Sequence, residues 1–343
     1  MKLAELAFER PEFLQAIEPP EVQGVSRDAG RLLISSPQGH FHAEFTDLPH
    51  FLDRGDLLVV NESATIPASL PAAGPSGPFI VNLSTRYGAD LWLVEPRPSY
   101  VEPGPLDLEA GDRIVVAGVP GHLVRPYPGI DRLWFVRFDR PLERALDQKG
   151  SPIRYGYTDE SYPLSQYQTL FSRVPGSAEM PSAARPFTVA VVSELAAQGV
   201  EFASIVLHTG VSSLEVKAEQ VEDQPLYPEP FEVSAATARQ INATRERGGS
   251  VIAVGTTVAR AVETAWDDGR VREASGFTRL FIHPGRGVQT FDGLLTGFHD
   301  PKTTHLALLY AVAGRERILE AYAEAVRAGY LWHEFGDSHL ILR

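Results

Sequence analysis

The pattern of apolar segments changes twice along this chain, and these changes constrain the fold more than any other feature of the sequence. After Ser151, apolar strands such as "EFASIVLHTGV" and "SVIAVGT" alternate with the predicted helices "VSAATARQINATRERGG" and "TVARAVETAW", which is typical of an α/β domain. Between residues 72 and 149, glycine and proline recur and short strands such as "PFIVNLST" and "LWFVRFD" follow one another, which indicates a small barrel or sandwich. We therefore predict an α/β domain formed by residues 1–71 and 150–343, with residues 72–149 inserted as a small all-β barrel.

Composition narrows the class of protein. Of the 343 residues, 43% are hydrophobic, enough for a sizeable core, and none is cysteine, which excludes disulfides, thiolate metal ligands and a cysteine nucleophile. Glu5, Glu9 and Arg10 interrupt the apolar N-terminal segment, so we expect no signal peptide. No run of about 18 apolar residues is present, so we expect no membrane span and a cytoplasmic protein. Because the net charge is −13, a nucleic-acid partner would have to meet a local basic patch.

The segment "SVIAVGTTVARAVETA" is the clearest candidate for a binding site. Its apolar strand runs into Gly255, Thr256 and Thr257, and a helix follows. Ligands of open α/β sheets bind at the carboxyl ends of strands, and the free N–H groups of a helix start attract anions. Arg260 lies about one turn into this helix, so a carboxylate or a phosphate could bind here. A tight turn with threonine caps is the structural alternative, and the lysine of a Walker loop is missing.

Three further segments place polar or aromatic groups where a ligand could meet them. "IVLHTGVSS" ends in His208, which is well placed for acid–base work, although a lone histidine is more often structural. The loop "VEDQPLYPEPFEV" holds Asp223 and Glu229, which by composition alone would be a solvated acidic loop. "YQTLFS" begins with Tyr167 and Gln168, where an aromatic surface could stack a purine base or simply pack in the core.

The segment "FDGLLTGFHDPKTTHLALLYAVAG" places Asp292 and His299 between two apolar stretches. We predict that both side chains face a ligand in one cleft with residues 255–257. Asp300 and Pro301 are expected to start the following helix as its N-cap and first residue. The histidines show no metal triad at helical spacing, so no metal site is predicted.

Taken together, these segments resemble one family, the S-adenosylmethionine:tRNA ribosyltransferase-isomerases of queuosine biosynthesis. The resemblance runs along the whole chain and rests on seven segments in the same order: "GDLLVVNESATIPASL", "YQTLFS", "LHTG", "VIAVGTTVARAVETA", "LFIHPG", "DGLLTGFHDPKTT" and "FGDSHLI". It implies an α/β catalytic domain with an inserted β-barrel. It also implies catalytic roles for His208, Asp223, Glu229, Asp292 and His299, and substrate binding by Tyr167, Gln168, Gly255, Thr256, Thr257, Arg260 and Asp337.

The resemblance implies an unusual use of S-adenosylmethionine as a ribosyl donor. The ribose would pass to the aminomethyl group of a 7-aminomethyl-7-deazaguanine base in tRNA and be rebuilt as an epoxycyclopentanediol, while adenine and methionine leave. The sulfonium acidifies the neighbouring 5′ carbon, so the site needs a base, an acid for adenine and contacts for the amino-acid end. S-adenosylmethionine is then a co-substrate, and no metal or redox cofactor is expected.

Several motif positions depart from the family pattern. In the segment "PSAARPF", this chain has Pro186 where the family pattern has histidine and Ala184 where it has glycine. The segment "HTGVSSL" stands where the family has a glycine-rich segment. Further differences replace two histidines, two arginines and one asparagine, at Gln224, Tyr227, Ala64, Ser69 and Gly297, and new histidines stand at positions 283, 305, 333 and 339.

These departures leave three hypotheses about function. The chain performs the tRNA reaction with an altered site, acts on a small molecule as a paralogue that binds S-adenosylmethionine, or binds a ligand without turnover. The retained polar loop residues argue against the third. Because the lost arginines weaken the case for phosphate contacts, we predict weak tRNA binding, unless Arg154, Arg173 and Arg185 form a replacement patch in one groove.

Overall fold

The computed structural model describes residues 1–158, 160–211 and 216–343, and six α-helices and nineteen strands lie within them. The helices are α1 Glu143–Lys149, α2 Val189–Gln198, α3 Ala235–Glu246, α4 Thr256–Thr264, α5 Thr304–Ala313 and α6 Arg315–Ala328. The strands are β1 Arg31–Ser36, β2 Gly39–Glu44, β3 Leu57–Asn61, β4 Ser63–Thr65, β5 Ser69–Gly74, β6 Gly77–Arg86, β7 Leu91–Arg97, β8 Arg113–Val116, β9 Val119–Tyr127, β10 Ile130–Phe138, β11 Val174–Ser177, β12 Glu201–Leu207, β13 Glu229–Val233, β14 Val251–Val254, β15 Trp266–Asp267, β16 Arg270–Val271, β17 Ala274–Thr278, β18 Gly293–Gly297 and β19 Ser338–Leu342. Short 3₁₀ segments span Leu3–Leu6, Glu12–Leu14, Pro20–Gln23, Phe45–Phe51, Leu164–Tyr167, Ser182–Ala184 and Val221–Asp223.

The larger sheet of this described part has nine strands in the order β17-β13-β12-β3-β14-β18-β19-β1-β2. Strands β12, β3, β14 and β18 are mutually parallel, so their carboxyl ends meet at one edge of the sheet. Strand β19 runs antiparallel to β18, which brings the residues before β19 to the same edge. This edge is therefore where the sheet can hold a ligand.

The central strands β3 and β14 are almost entirely apolar because both faces of the sheet are covered. On β3, Leu57 and Val59 belong to the core beneath α3, α4, α5 and α6, whereas Leu58 and Val60 face α2 and the segment Phe45–Phe51. The alternation follows from the two-residue period of a strand. The α/β prediction is confirmed in this sheet.

The inserted domain is a closed six-stranded barrel with the strand order β10-β7-β6-β5-β8-β9. The barrel prediction is confirmed, but its predicted start at residue 72 falls inside β5, which begins at Ser69. Its core is continuous with side chains of the α/β domain, among them Ala178, Val211 and Tyr227. The barrel is therefore packed against the main domain through apolar contacts.

The start of α5 differs from the prediction. The helix begins at Thr304, and the Thr303 side chain caps it by accepting a hydrogen bond from Leu306 N at 3.4 Å. Asp300 is not the cap, because its carboxylate pairs with Arg10 at 2.9 Å. None of the helices described has the length and apolarity needed to cross a membrane.

Candidate active site

A cleft of about 300 Å³ opens at the carboxyl edge of the parallel strands. Its walls come from the residues that follow β12, β14 and β18 and from those that precede β19: Thr209, Gly255, Thr256, Thr257, Thr296, Gly297, Phe298, His299, His333 and Glu334. Residues far apart in the sequence meet here because the strand order places these loops side by side.

The start of α4 forms one wall of the cleft. Gly255 has a φ of +98°, and its N–H donates to Leu295 O at 2.8 Å, so the chain turns sharply from β14 into the helix. Thr256 and Thr257 follow at the first turn, whose N–H groups have no partner within a helix. The structure thus brings residues 255–257 to a position where an anionic group could be held.

Two histidines lie side by side in the cleft. Nε2 of His299 is 2.9 Å from the Thr296 hydroxyl oxygen, and its ring centroid is 4.7 Å from that of His305. Burial, reinforced by His305 and other nearby histidines, holds the pKa of His299 well below its ordinary value. Burial and the charge of Arg260 lower the pKa of His305 to about 4. Both imidazoles are therefore neutral at pH 7.

Two glutamates face the same cleft with different surroundings. Glu179 accepts a hydrogen bond from the Tyr155 hydroxyl. The carboxyl group of Glu334 has no hydrogen-bond partner among the residues that the structure describes. Burial, reinforced by the nearby charge of Glu179 and opposed by Arg185, raises the pKa of Glu334 to about 8. Glu334 is therefore mostly protonated at pH 7.

A network of charged and aromatic groups also lines the cleft. Nε2 of His333 lies 3.0 Å from an Asp300 carboxylate oxygen, and the His333 ring stacks on Tyr157 with centroids 4.6 Å apart. Burial opposes ionisation of Asp300, but His333 and Arg10 outweigh it, so its pKa lies below the ordinary value. Asp300 is thus a charged anchor at the edge of the cleft.

A second, smaller pocket of about 70 Å³ adjoins the cleft through His305, which lines both. Its polar centre is an ion pair in which Arg260 donates to Glu229. Glu229 also accepts from Gly210 N at 2.8 Å. The structure therefore places Arg260 and Glu229 beside the cleft, behind His305, and pairs them with each other.

The prediction that Asp292 faces this cleft is wrong. Asp292 precedes β18, at the amino end of that strand, and its carboxylate accepts a hydrogen bond from Val251 N at 2.9 Å. Parallel strands place their amino ends at the same edge, so Asp292 lies across the sheet from His299. Its role is to tie the starts of β14 and β18 together.

Other predicted site residues lie near the cleft without lining it, and hydrogen bonds engage three of them. His208 Nδ1 is 2.7 Å from the Ser63 hydroxyl oxygen, and burial lowers its pKa. The Gln168 side chain bonds both main-chain groups of Thr65. Asp337 accepts hydrogen bonds from Arg31 N at 2.7 Å and from Leu331 N at 2.8 Å.

Tyr167 and Asp223 are also outside the cleft, the first because it is buried in the core and the second because it is exposed on the surface. The Tyr167 ring is buried against Phe335, with centroids 5.4 Å apart, which corresponds to the core-packing alternative. Asp223 is exposed on the short segment Val221–Asp223.

Arg154, Arg173 and Arg185, which could have formed a replacement patch, have different partners and do not meet in one groove. Arg185 is 3% exposed and pairs with Glu21 at 2.7 Å. Arg173 contacts Glu62 at 3.5 Å. Arg154 lies over the Tyr100 ring at 5.6 Å. Each therefore has a separate local partner.

Some changed motif positions have clear structural roles. The Tyr227 hydroxyl donates to Val211 O at 2.5 Å, which links two residues of the main domain that both pack into the barrel core. Gly297, His305 and His333 line the cleft. Residues 212–214 of "HTGVSSL" lie outside the described residues. No cluster of metal-ligating side chains is found in the described ranges.

Sequence analysis missed Glu179 and Glu334. In the sequence, Glu334 is a polar residue that precedes the last apolar segment, "HLILR", which is predicted to be a strand, and nothing else distinguishes it. Its position before an antiparallel strand brings it to the binding edge, and strand direction was not predicted. Glu179 follows β11, whose pairing with β4 no sequence pattern indicates.

This fold and cleft define a class of protein: an α/β domain with an inserted barrel and a ligand site at the ends of parallel strands. The sequence model of the family described as queuosine biosynthesis protein matches residues 3–341, and the chain belongs to that family. Among relatives named S-adenosylmethionine:tRNA ribosyltransferase-isomerase, those of Moorella thermoacetica and Carboxydothermus hydrogenoformans are 40% and 38% identical and match over the full length of both chains.

A solved structure supports the same assignment. It is an S-adenosylmethionine tRNA ribosyltransferase from Thermotoga maritima, with a TM-score of 0.55 and 29% identity, and the match covers 98% of this chain and 100% of that one.

Proposed function

We propose that this chain catalyses the reaction for which its relatives are named. It uses S-adenosylmethionine as co-substrate, transfers and isomerises its ribosyl group, and acts on tRNA. The finer assignment of the acceptor is the aminomethyl group of a 7-aminomethyl-7-deazaguanine base. Full-length identity of up to 40% to proteins of this name supports the proposal.

The single structural observation that carries the proposal is the charge of the cleft. The carboxylates of Glu179 and Asp300 line it beside the protonated Glu334, and no lysine or arginine side chain does so within the described residues. S-adenosylmethionine carries a sulfonium and an ammonium group, and the acceptor amine is also cationic in water. Acidic walls therefore suit both reactants electrostatically.

The remaining groups suit the other end of the substrate and the proton transfers. The amino-acid carboxylate would bind the N–H groups at Thr256 and Thr257. His299 stays neutral at pH 7, which is the form that accepts a proton, and would take the proton from the 5′ carbon. Glu334 stays protonated and would give its proton to adenine as the base leaves.

The steps balance in protons and electrons. Removal of the 5′ proton leaves an electron pair that drives loss of adenine, which departs with the pair of its glycosidic bond and takes the Glu334 proton. The neutral acceptor amine then bonds to a ribose-derived carbon and loses a proton, and the electron pair released by this addition forms the carbon–carbon bond that closes the five-membered carbocycle. The oxygen anion formed in that closure bonds to the 5′ carbon as the carbon–sulfur bond breaks, so methionine leaves with that electron pair.

The test is an incubation of the protein with S-adenosylmethionine and tRNA that carries the 7-aminomethyl-7-deazaguanine base. We expect adenine and methionine in equal amounts and a matching mass increase of the tRNA. The control is the same tRNA with guanine at that position, which has no aminomethyl group to accept the ribosyl carbons. Failure to consume S-adenosylmethionine under both conditions would contradict the proposal.

The same experiment addresses the small-molecule alternative, which no observation now favours. Consumption of S-adenosylmethionine without a mass change of the tRNA would support it. The expectation of weak tRNA binding rested on lost arginines, whereas the names of the full-length relatives favour tRNA.

A further inference from the structure

Where the barrel meets the edge of the large sheet, three partly exposed aromatic rings and two exposed arginines lie around the buried ring of Tyr127. We call this surface the aromatic–arginine patch, and it consists of Tyr87, Phe135, Phe277, Arg125 and Arg279. The Tyr87 ring centroid lies 5.4 Å from that of Phe277 and 5.9 Å from that of Phe135. Phe277, on the edge strand β17, is 51% exposed. A large aromatic ring left half in water beside other rings indicates a binding surface.

The two arginines give the patch positive charge. Arg125 lies over the Phe135 ring with 5.5 Å from the guanidinium carbon to the centroid. Arg279 is exposed and directly follows the edge strand β17, two residues after Phe277, which places it beside that ring. Neither arginine has a carboxylate partner in the part of the chain that the structure describes. Positive charge is thus uncompensated here, in a protein of net charge −13.

The patch is connected to the cleft. The Tyr127 ring meets that of Tyr227 edge to face, with centroids 6.3 Å apart, and Tyr227 lines the smaller pocket. That pocket reaches the cleft through His305. A polymer that rests on the patch therefore lies near the smaller pocket, which shares His305 with the cleft.

We propose that the aromatic–arginine patch binds the single-stranded RNA loop that carries the target base, which rests on the proposed function. Exposed rings stack on bases of any sequence, and guanidinium groups pair with phosphates. The target base must leave its stack to enter the cleft, and stacking of its neighbours on Tyr87 and Phe277 compensates for that loss.

The experiment measures binding of an RNA stem–loop, with the 7-aminomethyl-7-deazaguanine base in its loop, as a function of salt. Phe277→Ala should weaken binding about tenfold, with an unchanged salt dependence, because it removes stacking alone. Arg125→Ala and Arg279→Ala should weaken binding and each reduce the log–log salt slope by about 0.7, the value for one phosphate contact of a single strand.

Two matched variants serve as controls. Phe41→Ala removes a 47% exposed ring from β2, the opposite edge strand of the sheet. Arg54→Ala removes an exposed arginine next to the amino end of β3. Both should bind the stem–loop like the unaltered protein. All five variants should bind S-adenosylmethionine with unchanged affinity.

The outcomes separate this inference from the proposed function. If Phe277→Ala and the arginine variants all bind the stem–loop with wild-type affinity, the inference is overturned and the proposed function stays intact. Absence of wild-type binding, together with no tRNA product, would remove the proposed function itself. Self-association that Phe277→Ala abolishes, with RNA binding unchanged, would assign the patch to a second copy of the chain and also overturn the inference.

Discussion

Glu334 is the residue on which the proposed chemistry depends most directly, because its carboxyl group enters the cleft and holds its proton at neutral pH. Glu334→Gln keeps the shape of the side chain but has no proton to transfer. We expect single-turnover release of adenine to slow by about 10²- to 10⁴-fold, while S-adenosylmethionine binding changes little. The wild-type rate should also fall above about pH 8, and this decline should be absent in the variant.

A substrate analogue distinguishes acid catalysis from a structural role. S-adenosylmethionine with 7-deazaadenine lacks the ring nitrogen that would accept the proton. With wild-type protein, this analogue should react more slowly than S-adenosylmethionine. With Glu334→Gln, the analogue and S-adenosylmethionine should react at the same slow rate. Glu334→Asp should restore part of the difference. Glu194→Gln, on an exposed position of α2, is the control and should behave like wild type.

Glu334 should also make stability depend on pH. Burial raises its pKa from 4.5 to about 8, so between these values the folded state binds more protons than the unfolded state. The contribution is fully present below pH 4.5 and is lost as pH rises through about 8. The melting temperature of wild type relative to Glu334→Gln should therefore fall between pH 5 and pH 8.5. A constant difference across that range would contradict the pKa assignment.

At the scale of single residues, the sequence predicted positions in the cleft correctly for residues that directly follow a recognisable apolar strand. Residues 255–257 and His299 follow apolar strands, and the structure places them in the cleft. Asp292 belongs to a motif too, but it precedes its strand, and the prediction ignored which end of the strand it occupies. Glu334 was not predicted because its placement depends on the direction of β19.

At the scale of elements, the turn from β14 into α4 shapes the wall that is expected to hold the carboxylate. Gly255→Ala would force an L residue to a φ of +98° and put a methyl group 3.3 Å from the Ala183 side chain, which also lines the cleft. We expect a cost of about 1–2 kcal/mol in stability and a severalfold weaker affinity for S-adenosylmethionine. Calorimetry and thermal unfolding measure the two effects.

A second glycine isolates the backbone strain from the site. Gly269 has a φ of +82°, in the turn between β15 and β16, and nothing lies within 4 Å of an added methyl group. Gly269→Ala should lower the melting temperature but leave affinity unchanged. If both variants weaken S-adenosylmethionine binding equally, the turn at Gly255 has no specific role in the site.

Secondary structure could be predicted where a regular pattern of apolar residues continued over many positions. The alternation after Ser151 and the short strands of the insertion both correspond to observed elements. The start of α5 was misplaced because Asp300 and Pro301 have the chemistry of a helix start, but Arg10 and His333 engage the aspartate from distant segments. A tertiary contact of this kind leaves no local signal.

At the scale of the whole molecule, the barrel and the α/β domain share a core and should unfold together. Val211 and Tyr227 pack into the barrel core from outside the insertion. Trp92 and Trp134 belong to the barrel, whereas Trp332 is buried in the main domain. Variants with tryptophan retained in one domain should give coincident fluorescence transitions. Two separated transitions would show that the shared core does not couple the domains.

The position of β19 has a consequence for the order in which the protein can acquire activity during its synthesis. This strand lies between β18 and β1, so in the described part of the chain the strand hydrogen bonds that join the hairpin of β1 and β2 to the sheet come from residues made about 300 positions later. The cleft also lacks His333 and Glu334 until that point. A nascent chain that has left the ribosome only as far as α6 therefore lacks the strand that hydrogen-bonds this hairpin to the sheet, and its cleft is incomplete. We expect it to consume no S-adenosylmethionine before the final strand has been made.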